Sequence, residues 1–134
     1  KRVYSDAQWQ SYIGLPGFRQ FKLYLADGCL AGYAETSLKS DTGLGELEYF
    51  GLLSNTVGMG AGPAFLSQVI GTLWASNPNR LRISTCTLDH PGAFRVYTRC
   101  GFSRVSSHSS SIPNAVKAGI ITPQEIETRA GLLA

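Results

Sequence analysis

The sequence predicts a mixed α/β domain in which a mixed sheet is flanked by helices. Two alternating apolar runs, residues 18–26 and 29–38, are joined by Asp27 and Gly28 and predict an antiparallel hairpin. A third apolar run passes through a glycine cluster into an amphipathic helix. Beyond that helix the pattern becomes strand, helix, strand, which is typical of parallel strands joined by helical crossovers.

The first predicted element is a short helix over residues 5–13, with Ser5 or Asp6 as its N-cap. Gly14 and Pro16 follow it and favour its ending there. Three large side chains share the predicted inner face of this helix: Trp9, Tyr12 and Ile13.

After the hairpin, a polar loop over residues 41–45 leads into a third strand over residues 45–53. Its side chains alternate with a period of two, so we expect two distinct faces. One predicted face carries Leu47, Tyr49 and Leu53, and the other carries Glu46, Glu48 and Leu52.

A long helix is predicted from Gly60 to the Asn77-Pro78 pair, with Pro63 in the first turn, where no backbone donor is lost. One stripe of this helix is apolar and should face the sheet. Its members are Phe65, Leu66, Val69, Ile70, Leu73 and Trp74.

Residues 81–88 predict a fourth strand, which runs parallel to the third if the connection is a right-handed crossover. A second helix, begun by Pro91 and capped by Asp89 or His90, should end at Gly101, and residues 102–106 then resume as a strand. We expect the carboxyl end of the fourth strand to meet the same crevice as the glycine cluster.

The composition changes after residue 106, so we divide the chain into a domain over residues 1–106 and a serine linker with a helical tail over residues 107–134. The tail holds two short helical candidates, residues 114–118 and 123–132. Thr122 and Glu125 are spaced as a capping box for the second.

Composition bounds the function. At 134 residues, 43% hydrophobic and 16% charged, the chain reads as one soluble globular domain, and its net charge of +3 does not indicate nucleic acid as a partner. No apolar run is long enough to span a membrane. Three cysteines without metal-type spacing predict reduced thiols in a cytoplasmic protein, and two histidines are too few for a convincing zinc site, so we expect no metal.

The glycine cluster VGMGAG, residues 57–62, is the strongest functional signal. Its glycines let backbone amides approach a ligand closely at the start of a helix, where the amides are unpaired and the helix dipole is positive. A pyrophosphate would fit there. The alternative is a tight turn that serves only helix–sheet packing. The cluster is neither a P-loop, since no lysine follows it, nor the dinucleotide fingerprint, since Pro63 takes the last glycine position.

The order of elements and two motifs resemble the GCN5-related N-acetyltransferases. Gly60 and Gly62 match the glycines of the family's Q/R-x-x-G-x-G/A hallmark, and Ala93, Tyr97 and Gly101-Phe102 match its acceptor-side segment. The resemblance covers roughly residues 5–105. It implies an acyl-CoA N-acyltransferase fold with two splayed parallel central strands.

Four departures from the family pattern bear on the site and on partners. Val57 takes the place of the family's Gln/Arg, so the backbone alone would hold the pyrophosphate, and His90 stands where many members carry Asn. The family's first strand and first helix, and its final strand, have no counterpart. We therefore expect the chain to be a fragment, or to associate as a homo-oligomer such as a dimer, or to be completed by a partner segment.

The resemblance implies acetyl-CoA as cosubstrate and a primary amine of a small molecule or peptide as acceptor. Tyr97 is implied as the general acid that protonates the thiolate, and Glu48 or Glu46, or else His90, as the base that activates the amine. Each of these residues could instead have a purely structural role. Tyr97 could be a core aromatic, the two glutamates solvated strand residues, and His90 a helix cap. The implied coenzyme-binding residues, including an exposed amide near Leu52 for the acetyl oxygen, are Leu52, Leu53, Val57, Gly58, Met59, Gly60, Ala61, Gly62 and Pro63.

These expectations describe an N-acetyltransferase that works by direct transfer in a ternary complex. Two other hypotheses stay open. One is an acyl-CoA-binding module without activity, and the other is an interaction domain whose tail, residues 113–134, docks on a partner.

Overall fold

The computed structural model describes residues 4–86 and 89–109. Three helices and four strands follow one another in this part of the chain. In order, they are α1 (Asp6–Ile13), β1 (Arg19–Tyr24), β2 (Leu30–Lys39), β3 (Leu44–Leu52), a 3-10 turn (Ser54–Thr56), α2 (Ala61–Trp74), β4 (Arg80–Ile83) and α3 (Ala93–Arg99).

The strands form one mixed sheet in the order β1-β2-β3-β4. The pairs β1–β2 and β2–β3 are antiparallel, and β3–β4 is parallel across the crossover through α2. The predicted hairpin is confirmed, and the Asp27 carboxylate closes its turn by accepting from the Cys29 amide at 2.9 Å. The mixed α/β class is confirmed as well.

The core lies between the sheet and α2, on what we call the helix face. Leu66 and Val69 of α2 are almost fully buried, against Ala34 of β2 and Leu47 of β3. Burying a leucine or valine side chain stabilises the folded state by roughly 1.5–3 kcal/mol each, so this stripe fixes α2 on the sheet. Trp74, however, is 48% exposed, so its predicted inward position is wrong. Its neighbour Leu73 packs on Gly45 of β3, and successive side chains of a helix point about 100° apart.

The opposite sheet face, which we call the Glu35 face, is reached by α1. Ser5 caps α1 in a capping box with Gln8, as one of the two predicted capping alternatives has it. The Tyr12 hydroxyl donates to the Glu35 carboxylate at 3.0 Å and ties the helix to β2. Ile13 is 49% exposed, so its predicted inward position is wrong; this eight-residue helix contacts the sheet through Tyr12 instead.

A β-bulge interrupts β3. Thr36 pairs with Leu47 and Glu35 pairs with Tyr49, which leaves Glu48 without an opposite residue. Because an extra residue reverses the alternation beyond it, Tyr49 turns to the Glu35 face, where its ring meets that of Tyr33. The expectation that Tyr49 shares a face with Leu47 is therefore wrong.

Three further predictions need correction. β4 ends at Ile83, not at residue 88, because the chain turns back at once: the Asp89 carboxylate accepts from the Thr85 hydroxyl at 2.7 Å and from the Cys86 amide at 3.0 Å. α3 begins at Ala93, after a turn at residues 91–92.

Residues 102–106 do not form the predicted strand. A strand at the edge of the sheet would bury alternate side chains, but Val105 is 90% exposed. Among the described residues, this segment also pairs with no strand of the sheet. Both helical candidates of the tail lie outside the described residues, so they stay predictions.

Candidate functional site

A cleft opens between the two parallel strands. The β3–β4 ladder ends at the Leu47–Ile83 pair, while β3 continues to Leu52. Beyond that pair, the described residues offer no strand to the free side of β3. The predicted splaying of the parallel strands is thus present, and it leaves a stretch of β3 backbone open to a ligand.

Leu52 presents its amide to this cleft. The Leu53 amide donates to the Ala31 carbonyl of β2 at 2.8 Å, so the N–H of Leu53 points away from the cleft. Successive amides of a strand point to opposite sides, which directs the Leu52 N–H toward the unpaired side. A donor of this kind suits a developing negative charge on a carbonyl oxygen.

The glycine cluster forms the turn between the 3-10 turn and α2. Gly58 and Gly60 have φ values of 87° and 78°, a left-handed conformation that other residues rarely adopt. A Cβ at either position would meet nothing within 4 Å, so the space above them is open. Among the described residues their amides donate to no acceptor, and Gly60 is an N-cap without a side-chain hydrogen bond.

The rest of the cluster shapes the same end of α2. Ala61, Gly62 and Pro63 form its first turn; Gly62 is buried, and a Cβ there would touch Leu52 at 3.4 Å. This contact brings the start of α2 against the end of β3. Val57 and Met59 are 39% and 66% exposed and leave an apolar flank with no side-chain donor. The first turn therefore offers backbone amides alone.

Thr56 is a site residue that the sequence reasoning missed. It is fully buried, and its hydroxyl lies 2.8 Å from both the Ala31 and the Leu53 carbonyl oxygens. It thereby anchors the glycine turn to β2. The only signal available was its place directly before the glycine cluster, at the end of the polar run Ser54-Asn55-Thr56.

Tyr97 lies on α3 beneath the cleft. Its ring is buried and meets Phe50 of β3 edge-on at 6.3 Å between centroids. Burial, with the nearby Asp89 carboxylate and Tyr49, raises the pKa of Tyr97 to about 12. No described residue hydrogen-bonds to its hydroxyl. The ring is thus part of the core, and the raised pKa keeps the hydroxyl protonated.

The second wall of the cleft is the loop after β4. Asp89 holds it by its bonds to Thr85 and Cys86, a positioning role that the sequence reasoning did not assign. His90 is engaged locally, since its Nδ1 accepts from the Gly92 amide at 3.0 Å. The N-cap of α3 is Gly92 and has no side-chain hydrogen bond, so the predicted cap at Asp89 or His90 is wrong. The role of His90 as a base stays a prediction.

The two β3 glutamates differ in their surroundings. Glu46 binds Lys39 at 2.6 Å and Arg82 through the guanidinium Nε at 2.8 Å. Burial alone would raise the pKa of Glu46, but these two cations outweigh it and the pKa lies below its ordinary value. A carboxylate with a lowered pKa is a poor base, which disfavours Glu46 in the implied role.

Glu48, in contrast, is exposed at the bulge and accepts only from the Ser37 hydroxyl, at 2.7 Å. Within residues 4–86 and 89–109 it has no ion-pair partner. It lies one residue past the last β3–β4 pair, and its carboxylate is directed to Ser37 of β2.

Two absences apply to the described residues only. They contain no group of three His, Cys, Asp or Glu residues arranged to hold a metal ion. None of their helices is long and apolar enough to cross a membrane.

Comparison with protein families gives one match. The family model of the acetyltransferase (GNAT) family matches residues 3–102, which include the glycine turn, the cleft and Tyr97. A search of curated proteins by sequence gives no match.

Solved acetyltransferase structures share the fold. A single-residue variant of the spermidine N-acetyltransferase from Vibrio cholerae is 17% identical, with a TM-score of 0.64 over 73% of this chain and 58% of that chain. A chimera of that enzyme is 16% identical, with a TM-score of 0.64 over 75% of this chain and 61% of the other.

A nourseothricin acetyltransferase is 25% identical, with a TM-score of 0.58 over 66% of this chain and 51% of that one. This chain therefore spans about half to three fifths of the length of these three proteins.

Proposed function

The chain belongs to the acetyltransferase (GNAT) family, and we propose that it transfers an acetyl group from acetyl-CoA to a primary amine. The observation that supports the proposal is the end of β3 beyond the Leu47–Ile83 pair, where Leu52 lies against Gly62 of α2 and Phe50 contacts the Tyr97 ring. Acetyl-CoA carries its pyrophosphate and its acetyl group at opposite ends of the pantetheine arm. It therefore needs an anion site at one end of a cleft and a reaction centre at the other.

The residues present fit the coenzyme. Open space above Gly58 and Gly60 and their unengaged amides support pyrophosphate binding at the start of α2. The apolar side chains of Val57 and Met59, with Leu53, flank the same turn and suit the pantetheine arm. Acetyl-CoA would supply the activated acetyl group, and residues of the chain would bind it and transfer the protons.

Three groups of the chain would act on the reaction. The Leu52 amide would bind the acetyl oxygen, and the Tyr97 hydroxyl, protonated at working pH, would donate its proton to the departing sulfur. Glu48, one residue past the end of the β3–β4 ladder, would accept the proton of the amine through a water molecule. Because Glu46 is held by Lys39 and Arg82, Glu48 is the better of the two candidates.

A second candidate function is an acyl-CoA-binding module without activity. The observation that favours it is Val57, which puts no hydrogen-bonding side chain at the turn where the family pattern has one. Under this hypothesis the coenzyme binds but no acceptor is acetylated.

One experiment separates the two. Acetyl-CoA binding is measured by calorimetry, and release of free coenzyme A is followed with a panel of primary amines. Binding together with amine-dependent release supports the transferase, and binding without release with any amine supports the module. If neither occurs, both are wrong.

We also propose that the chain associates with a second copy or another segment through the outer edge of β4. Among the described residues this edge has no partner strand, and Trp74 and Val105 beside it are 48% and 90% exposed. Exposed apolar side chains next to a free edge are typical of an interface. A cytoplasmic location agrees with three free cysteines in the described residues and remains part of the proposal.

A further inference from the structure

The Glu35 face carries an aromatic pair beside the cleft. The rings of Tyr33 and Tyr49 lie 5.8 Å apart between centroids, inclined at 51°. Tyr49 is 54% exposed, although it lies at the middle of a strand that is otherwise largely covered. An exposed tyrosine held against a second ring is a rigid apolar wall that a ligand can contact.

Tyr33 is held in place from behind. Its hydroxyl donates to the Glu35 carboxylate at 2.6 Å, and Glu35, only 4% exposed, also accepts from the Tyr12 hydroxyl. Burial and the bond to Glu35 raise the pKa of Tyr33, so the hydroxyl keeps its proton. A carboxylate on the hydroxyl makes the ring richer in electrons, and such a ring attracts cations more strongly.

The bulge places Tyr49 next to the proposed reaction centre. Tyr49 follows Glu48 directly, two positions past the last residue that pairs with β4. Tyr49 lies close enough to Tyr97 to contribute to the raised pKa of Tyr97, although the two side chains lie on opposite faces of the sheet. A molecule that reaches Tyr97 from the Glu35 face therefore passes Tyr49.

We propose that Tyr49, supported by Tyr33, binds a second positive charge of the acceptor, which makes a di- or polycationic amine the preferred substrate class. The proposal rests on the proposed acetyl transfer. A nitrogen that attacks the acetyl carbon must be neutral, whereas a ring face binds a nitrogen that is charged. The two nitrogens must therefore be different groups of one molecule.

The charges of this face favour such an acceptor. Glu48 stands next to Tyr49 on the same face, since its carboxylate bonds Ser37, and it has no basic partner among the described residues. Lys39 and Arg82 are held by Glu46. Lys22, the basic residue that pairs with Tyr33 in the sheet, lies on β1, on the side of Tyr33 away from the cleft.

The test compares 1,5-diaminopentane with pentylamine, which share chain length and reacting group but differ in the second charge. We expect the full chain to prefer the diamine in kcat/KM. In Tyr49→Leu this preference should fall by about 2-fold to about 30-fold, the range of a cation–π contact. Tyr49→Phe keeps the ring face and should retain the preference.

The matched control is Tyr24→Leu. Tyr24 is 55% exposed, much like Tyr49, but lies at the end of the outer strand β1. It should leave the diamine preference unchanged. Melting temperatures are compared first, and if Tyr49→Leu melts well below the parent, Tyr49→Gln takes its place.

The outcomes distinguish this inference from the proposed function. Amine-dependent release of coenzyme A with equal kcat/KM for both amines, or with a preference that Tyr49→Leu leaves intact, overturns the inference alone. If no amine is acetylated, the proposed function fails, and calorimetric titration with 1,5-diaminopentane decides the subsite. Binding that weakens in Tyr49→Leu but not in Tyr24→Leu supports it, and absent or unchanged binding refutes it.

Discussion

At the scale of single residues, the site depends on groups whose surroundings differ from what their sequence neighbours suggest. Tyr97 is a core aromatic whose hydroxyl stays protonated and, among the described residues, has no hydrogen-bond partner. Glu46 and Glu48 are two positions apart, yet one is paired with two cations and the other with a serine. The chemical role of each residue therefore depends more on the groups that its side chain contacts than on which amino acid it is.

The first prediction concerns Tyr97. Tyr97→Phe should bind acetyl-CoA as the parent does, because the ring still packs on Phe50, but turnover should fall at least about tenfold since the proton donor is lost. Turnover is measured by release of coenzyme A, after melting temperatures show that the fold is intact. A parental rate in a variant that melts and binds normally would mean that the proton comes from another group.

The second prediction concerns the pH dependence of stability. Folding lowers the pKa of Glu46, so its ion pairs stabilise the protein above the ordinary value of 4.5, and this contribution is lost as pH falls through the lowered pKa. Because Lys39 and Arg82 are half exposed, the contribution should be modest, about 0.5–1 kcal/mol.

Chemical denaturation at pH 7 and at pH 3 measures it. Glu46→Gln should be less stable than the parent at pH 7, and the difference should shrink at pH 3. Glu48→Gln, which removes a carboxylate without an ion-pair partner among the described residues, is the control and should show a smaller difference at pH 7. An equal loss for Glu46→Gln at both pH values would contradict the assignment.

At the scale of elements, the junction between β3 and α2 is the functional unit. The ladder with β4 stops before β3 ends, the 3-10 turn redirects the chain, and Gly60 begins α2 in a left-handed conformation. Thr56 joins this turn to β2. The open strand backbone and the open helix start therefore lie next to each other.

The third prediction tests the anion site. Gly60→Glu should abolish the rise in melting temperature that acetyl-CoA causes, because a negative side chain would fill the space proposed for the pyrophosphate. Gly28→Glu is the control: Gly28 has φ of 84° and open space at its Cβ, so it carries similar backbone strain, but it lies in the hairpin turn. If Gly60→Glu binds acetyl-CoA by calorimetry as well as Gly28→Glu does, the anion site lies elsewhere.

The fourth prediction tests the anchor of the turn. Thr56→Val keeps the shape of the side chain but removes a buried hydrogen bond, so it should lower the free energy of unfolding by about 1 kcal/mol and weaken acetyl-CoA binding. Thr72→Val, which removes an exposed hydroxyl bond to Gln68 within α2, is the control for threonine loss. Unchanged binding in Thr56→Val would show that the turn is set by its glycines alone.

At the scale of the whole molecule, the sheet has two free edges among the described residues, β1 on one side and β4 on the other. Beside the β4 edge lie the apolar side chains of Trp74, Ile83 and Val105. A sheet that ends in this way favours association, which the proposed function includes.

The fifth prediction follows from that edge. The full chain should associate in light scattering, and Val105→Glu should reduce association, because a charge in an apolar interface is costly to bury. Leu15→Glu changes a residue that is 52% exposed beside α1 and should leave association unchanged. A parent chain that remains monomeric at high concentration would refute the prediction.

The sequence alone predicted the hairpin, the helix after the glycine cluster, the parallel crossover and the family. These features depend on local signals: a period of two or 3.6, a turn pair such as Asp27-Gly28, and glycines at a helix start. Such signals act between near neighbours in the chain, so they can be read without knowledge of distant contacts.

The tertiary structure decided what the sequence could not. The bulge that turns Tyr49 to the Glu35 face arises only when β3 pairs with β2. The pairing of Glu46 with Arg82, 36 positions away, appears only once β4 lies beside β3. The end of that ladder, which creates the cleft, depends on where the loop closed by Asp89 draws the chain away. Register, bulges and ladder ends are properties of two strands together, and no single stretch of sequence contains them.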